Sequence, residues 1–145
     1  MNIIKEVAFD SPEYLKAVEL RDEVLRKPLG LEFSKEELSE EFDSHHFVAM
    51  NDEDEVVACL VLKPISPQEV KMRQVAVKDT QRGKNLGSLM VQFSEVFAMD
   101  NGYELLTVHA REVAKGFYEK LEYTVEGDQF EEVGIPHFKF IKKLV

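Results

Sequence analysis

Gln81-Arg82-Gly83-Lys84-Asn85-Leu86-Gly87 lies between a stretch that reads as a strand and one that reads as an amphipathic helix. Its residue types suit a phosphate. A helix start offers unpaired N–H groups and the positive end of the helix dipole. Glycine at 83 and 87 lets the backbone come close to oxygens. Asn85 tolerates a left-handed conformation better than most residues with a side chain, and Arg82 and Lys84 add charge. A surface turn that only caps the helix would have the same composition, so the loop alone leaves both readings open. Arg21 is the second unusual residue, because it interrupts the apolar helical stripe Tyr14, Ala17, Val18, Val24 and Leu25. A guanidinium there must pair, reach a wet cavity or snorkel from the stripe's edge. Its planar fork also suits a phosphonate, phosphate or carboxylate. His137, between Pro136 and Phe138, is of the right type to accept a proton near neutral pH, although a lone histidine is as readily structural. Tyr118 can pack on a sheet or donate a proton. Cys59, beside Ala58 and Leu60, reads as a small buried apolar residue. His45 and His46 read as a loop edge without metal-ligand spacing, so no metal is expected.

The elements that must position these residues follow from periodicity and turn chemistry. Asn2 to Ala8 reads as a strand, and Ser11-Pro12 starts the helix that carries Arg21. Pro28-Leu29-Gly30 ends it, and Ser34 to Phe42 is a shorter helix with Ser34 and Glu37 in capping-box spacing. Phe47 to Met50 and Val56 to Lys63 form a hairpin around Asn51-Asp52-Glu53-Asp54. Glu69 to Val77 is a strand. Leu86, Leu89, Met90, Phe93, Val96 and Phe97 mark an amphipathic helix stopped by Asn101-Gly102. Glu104 to His109 is a strand, Val113 to Leu121 a helix, and Tyr123 to Phe130 and His137 to Ile141 two closing strands. This order predicts an α/β (α+β) domain, a mixed sheet with helices packed on it.

The chain has 145 residues, 44% of them hydrophobic, which suits one domain spanning 1–145. A single cysteine excludes an internal disulfide, and no apolar run approaches the roughly 20 residues of a membrane span. With no signal-peptide pattern at Met1 to Glu6, a cytoplasmic protein is expected. The net charge of −10 argues against nucleic acid and anionic membranes as partners. That charge is uneven: Glu32 to Glu55 holds ten acids and one lysine, whereas Lys71 to Lys84 holds five bases and one acid. A basic segment in an acidic protein suggests a small anionic ligand, or else a solvated face.

The loop resembles the coenzyme A pyrophosphate loop of the GNAT superfamily of acyl-CoA N-acyltransferases. Arg82-x-x-Asn85-x-Gly87 matches it, with asparagine in place of the first glycine. Gln74-Val75-Ala76-Val77 resembles the family's pantetheine-binding strand. Phe117-Tyr118-Glu119-Lys120-Leu121-Glu122-Tyr123 resembles its late helix segment, with Glu122 in place of glycine. The resemblance implies a mostly antiparallel sheet, split to admit coenzyme A, with helices on both faces. It also implies acetyl-CoA as co-substrate, held by Gln74 to Val77 and by Arg82, Gly83, Lys84, Asn85, Leu86, Gly87 and Ser88, with Tyr118 protonating the leaving thiolate.

Four further features resemble the glyphosate N-acetyltransferase subgroup: Leu20-Arg21 with Leu25-Arg26-x-Pro28-Leu29, Arg73, His109-Ala110-Arg111, and Gly134-Ile135-Pro136-His137. That likeness implies Arg21, Arg73 and Arg111 as ligands of a small anionic amine and His137 as general base; separately, a monomer or homodimer is expected. Two other functions stay open: acetylation of peptide lysines or polyamines, and a non-catalytic coenzyme A-binding module.

Overall fold

The computed structural model describes residues 2–31 and 33–145. Glu32, first of the acidic stretch, lies outside them. Among the described residues eight strands form one sheet: β1 (Ile3–Val7), β2 (His45–Met50), β3 (Val56–Pro64), β4 (Glu69–Val77), β5 (Leu105–Arg111), β6 (Thr124–Val125), β7 (Phe130–Glu132) and β8 (Ile135–Lys143). Their order is β1-β2-β3-β4-β5-β8-β6, with β7 also on β8. Every pairing is antiparallel except β4 with β5. The α-helices among the described residues are α1 (Pro12–Arg21), α2 (Lys35–Ser39), α3 (Leu86–Asp100) and α4 (Lys115–Lys120). None of the described helices is long and apolar enough to cross a membrane.

Alternating strand residues build two cores, because successive side chains leave opposite faces of the sheet. Phe47, Ala49, Leu60 and Leu62 pack with Met90 and Val91 of α3 and Tyr118 of α4. Val48 and Cys59 pack with Ala17 and Leu20 of α1 on the other side. The helices therefore lie on both faces of a mostly antiparallel sheet, as the family resemblance implied. Burial pushes the Cys59 thiol up to about 12, so it remains a protonated core residue.

Local chemistry explains the helix ends. Ser11 caps α1 by accepting from the Tyr14 N–H at 3.2 Å. Ser34 and Glu37 form the expected reciprocal box at α2, although that helix stops at Ser39 rather than Phe42. After α4, Glu122 adopts φ 72° and the Tyr123 N–H donates to the Tyr118 carbonyl at 3.0 Å. This is the left-handed helix stop that usually recruits glycine.

Three elements differ from the periodicity. First, β2 starts at His45, so His45 and His46 sit within a strand rather than at a loop edge. Second, α1 continues as a π turn over Asp22–Arg26 and a 3₁₀ turn over Lys27–Leu29. Third, the closing strand expected over 123–130 is two short strands, β6 and β7, both paired to β8. Gly127, at φ 80°, lies between them and supplies a backbone geometry no regular strand can hold.

Candidate active site

The sheet opens between β4 and β5. Their parallel pairing runs only from Glu69–Leu105 to Met72–Val108, although both strands continue. On the other side of β4 the register with β3 shifts where Gln74 and Val75 pass Leu60, and Gln74 takes φ 57°. This bulge bends β4 and turns backbone groups away from the ladder.

A cleft of about 550 Å³ fills the opening. Val75, Ala76 and Val77 form one wall, and Ala110, Phe117 and Tyr118 another. Its floor is the loop foreseen as a phosphate cradle. A 3₁₀ turn over Asp79–Gln81 leads to Gly83 at φ 81° and Asn85 at φ 61°, and α3 starts immediately after. Asn85 does occupy the left-handed region. No acid stands in the first turn of α3, so its positive dipole end is not offset. Gln81, Arg82, Gly83, Asn85, Leu86 and Gly87 line the cleft, as does Ser88. Lys84 is exposed beside it, and Arg82 pairs with Asp79 at 3.2 Å in the open. A Cβ on Gly87 would stand 3.5 Å from the Phe117 ring and 3.6 Å from Val77 Cγ2, so glycine keeps the floor low without being sterically forced. Tyr118 is buried against Phe117, Tyr123 and Phe140. Burial raises the pKa of its hydroxyl, which stays protonated at neutral pH.

A second cleft, of about 370 Å³, adjoins the first through Leu25, Val75 and Arg111, which line both. β8 delivers His137 into it, between Arg111 directly across on β5 and Phe130 directly across on β7. His137 is buried, and its Nδ1 lies 2.7 Å from the Ile135 carbonyl, to which it must donate. The neutral ring therefore carries its lone pair on Nε2. That atom lies 3.7 Å from Glu132 Oε2. The other Glu132 oxygen lies 3.2 Å from His109 Nδ1, which is 3.3 Å from Lys71 Nζ. Phe130 stacks on His137 and meets His109 edge-on, holding both rings.

Four cations line this cleft: Arg26, Lys71, Arg73 and Arg111. Arg111 Nη2 donates to the Leu25 carbonyl at 3.5 Å. Arg73 makes no ion pair or side-chain hydrogen bond among the described residues. Burial, then the charge of Arg73, lowers the Lys71 pKa. Glu132 is the single carboxylate among the described lining residues.

Arg21 is elsewhere, against the expectation that it joins Arg73 and Arg111. Its Nη1 and Nη2 donate to the two oxygens of Glu41 at 2.8 and 2.7 Å, and it lies 4.6 Å from the centre of the Phe33 ring. Glu41 also accepts from the Tyr14 hydroxyl at 2.8 Å. Burial alone would raise the Glu41 pKa, but the Arg21 fork outweighs it and the carboxyl sits below its usual range. An arginine in an apolar stripe has found an acid rather than a cavity.

Sequence reasoning gave no site role to Lys71, His109, Glu132 and Arg26, which line the cleft, or to Phe130, whose ring braces His137 and His109. Phe130 and Glu132 had a signal. They share strand parity just before Val133-Gly134, whose positive φ values turn the chain back onto His137.

Residues 17–144 match the model of the Acetyltransferase (GNAT) domain family. A Bacillus subtilis (strain 168) protein provisionally named an acetyltransferase is 28% identical over 134 residues, covering 88% of this chain and 87% of that one. The protein YyaT of the same organism is 30% identical over 74 residues, which is 51% of this chain and half the length of that relative. A crystal structure from Lactobacillus plantarum, provisionally named an N-acetyltransferase, superposes with a TM-score of 0.86 at 23% identity, over 98% of this chain and 99% of that one. A GNAT family acetyltransferase from Elizabethkingia anophelis, with acetyl-CoA bound, reaches 0.75 at 16% identity, over 98% and 97% of the two chains. At these identities the structures establish a shared fold.

Proposed function

Because this chain belongs to the GNAT acetyltransferase family, we propose that it moves an acetyl group from acetyl-CoA to the amine of a small anionic acceptor. The observation that carries the acceptor class is the second cleft. It places four cations around a buried histidine in a protein of net charge −10, next to the cleft with the phosphate-type loop. The match of Arg73, Arg111 and His137 to the glyphosate N-acetyltransferase subgroup supports a phosphonate, phosphate or additional carboxylate on that acceptor. The bound acetyl-CoA of the Elizabethkingia anophelis structure supports the donor.

Acetyl-CoA supplies an acetyl group activated as a thioester. The amides at the start of α3, with Arg82 to Ser88, hold the pyrophosphate. Backbone groups of Gln74 to Val77 run along the pantetheine arm, and an N–H freed by the bulge polarises the thioester carbonyl. Arg73 and Arg111 grip the anionic end of the acceptor and orient its amine, an entropic contribution rather than bond chemistry. His137 Nε2 takes a proton from the amine, which attacks the thioester directly in a ternary complex. Tyr118 gives its proton to the departing sulfur, and the second proton that the nitrogen sheds as the amide forms restores the phenol. Arg21 contributes by anchoring the segment that carries Leu25 and Arg26.

The test is coenzyme A thiol release with acetyl-CoA and a panel of amines. Turnover is expected on phosphono-, phospho- and dicarboxylic amino acids. Turnover confined to polyamines or a lysine peptide would refute the anionic acceptor. Silence across the panel with acetyl-CoA still bound would favour a non-catalytic coenzyme A-binding module.

A further inference from the structure

We propose that Glu132 receives the acceptor's ammonium group beside His137, so that the pocket selects molecules carrying an amine and an anion together. This deepens the reading above and rests on it. The argument starts from two acceptor atoms facing each other. With His137 Nδ1–H committed to the Ile135 carbonyl, the neutral ring presents a lone pair at Nε2, and 3.7 Å away stands Glu132 Oε2. That separation is too long for a hydrogen bond between them. It suits a shared donor bearing several protons: an ammonium nitrogen roughly 2.8–3.0 Å from each atom donates to both at once.

Glu132 is held for this task. Its Oε1 is tied to His109 at 3.2 Å, whose ring is braced edge-on by Phe130, leaving Oε2 turned toward His137. The surroundings make that carboxylate decisive. Arg73, Arg111, Lys71 and Arg26 attract an anion and repel any ammonium that comes with it. One carboxylate beside the base offsets that repulsion at the place where the amine must lose its proton. The imidazolium that His137 then becomes faces the same carboxylate, so the pair that binds the cation also stabilises the proton once it has moved. Glu132 touches the reacting amine and keeps its charge throughout.

The experiment compares phosphoethanolamine with ethyl phosphate, which lacks the amine, by calorimetry on the wild-type protein and on Glu132→Gln. Acetylation of phosphoethanolamine is measured alongside. Wild type is expected to bind phosphoethanolamine at least tenfold more tightly. Glu132→Gln is expected to reverse that order while keeping ethyl phosphate affinity within twofold. Equal weakening of both ligands would make Glu132 a structural prop and overturn the proposal. Acetylation of phosphoethanolamine by wild type with no amine preference in binding would overturn it too, leaving the acetyltransfer reading intact. If neither phosphate ester binds and no anionic amine on the panel is acetylated, the anionic-acceptor reading fails and the proposal falls with it.

Discussion

Arg21→Met separates a scaffold role from a substrate role. The guanidinium is 1% exposed and Glu41 4%. Removing Arg21 leaves a buried carboxylate with the Tyr14 hydroxyl as its remaining side-chain donor. Breaking one side of a buried ion pair costs about 3–5 kcal/mol, because the surviving charge has lost its compensation. With an unfolding entropy of about 2.1 cal/mol/K per residue, 145 residues turn that cost into a Tm loss of roughly 10–16 °C. The loss is large against a total stability of about 5–15 kcal/mol. Removing the orphaned charge as well, in Arg21→Met with Glu41→Gln, should recover a good part of it. Urea and thermal melts at pH 7 read both variants. Well below the melting range, the KM of Arg21→Met for an anionic acceptor should stay within about threefold of wild type, since Arg21 lines neither cleft. A tenfold rise in KM with under 1 kcal/mol of destabilisation would refute this assignment and return Arg21 to the acceptor site.

His137→Ala should lower kcat by roughly 10²–10⁴-fold and leave acetyl-CoA affinity nearly unchanged; stopped thiol release and calorimetry measure the two, and near-normal turnover across pH would remove His137 as base. Gly87→Ala should keep or raise Tm, because the added Cβ meets only ordinary contacts, yet weaken acetyl-CoA binding by filling the cleft floor; unchanged affinity would put the donor elsewhere. Burial holds the His46 pKa below its ordinary 6.5, so its stabilising effect is complete above that pH and lost as pH falls toward the folded pKa. His46→Gln should therefore flatten the first decline in stability below pH 6.5, read by urea unfolding over a pH series; an unchanged slope there would remove His46 as its source. Glu122→Gly should stabilise by about 1 kcal/mol, because φ 72° costs an L residue and not glycine; a loss of Tm would mean the glutamate side chain does something there.

The capping box at Ser34 and Glu37, the apolar face of α3 and the left-handed Asn85 were readable because local chemistry decides them. The split sheet came from resemblance; no periodicity announces that β4 and β5 part after four rungs. Arg21 shows a different limit. Its oddity in the apolar stripe was plain, but its partner lies twenty residues away in an acidic run whose members look alike in sequence. Only packing distinguishes Glu41, which Tyr14 and His46 also reach, from its exposed neighbours. Glu132 and His109 were hidden for the same reason, being neighbours of His137 through the pairing of β7 and β5 with β8.

The π turn over Asp22–Arg26 gives one stretch of chain an unusual sensitivity to length. A π turn holds one residue more than the α-helix it interrupts. Here that surplus lies beside Leu25, which lines both clefts and whose carbonyl receives Arg111. Deleting a single residue from this turn would restore ordinary helical winding and leave the sheet, the phosphate-type loop and His137 where they are. It would also rotate Leu25 and Arg26 relative to the acceptor cleft. Insertions and deletions at this point thus change the roof over the acceptor independently of the catalytic floor, a kind of variation that point substitutions cannot reproduce.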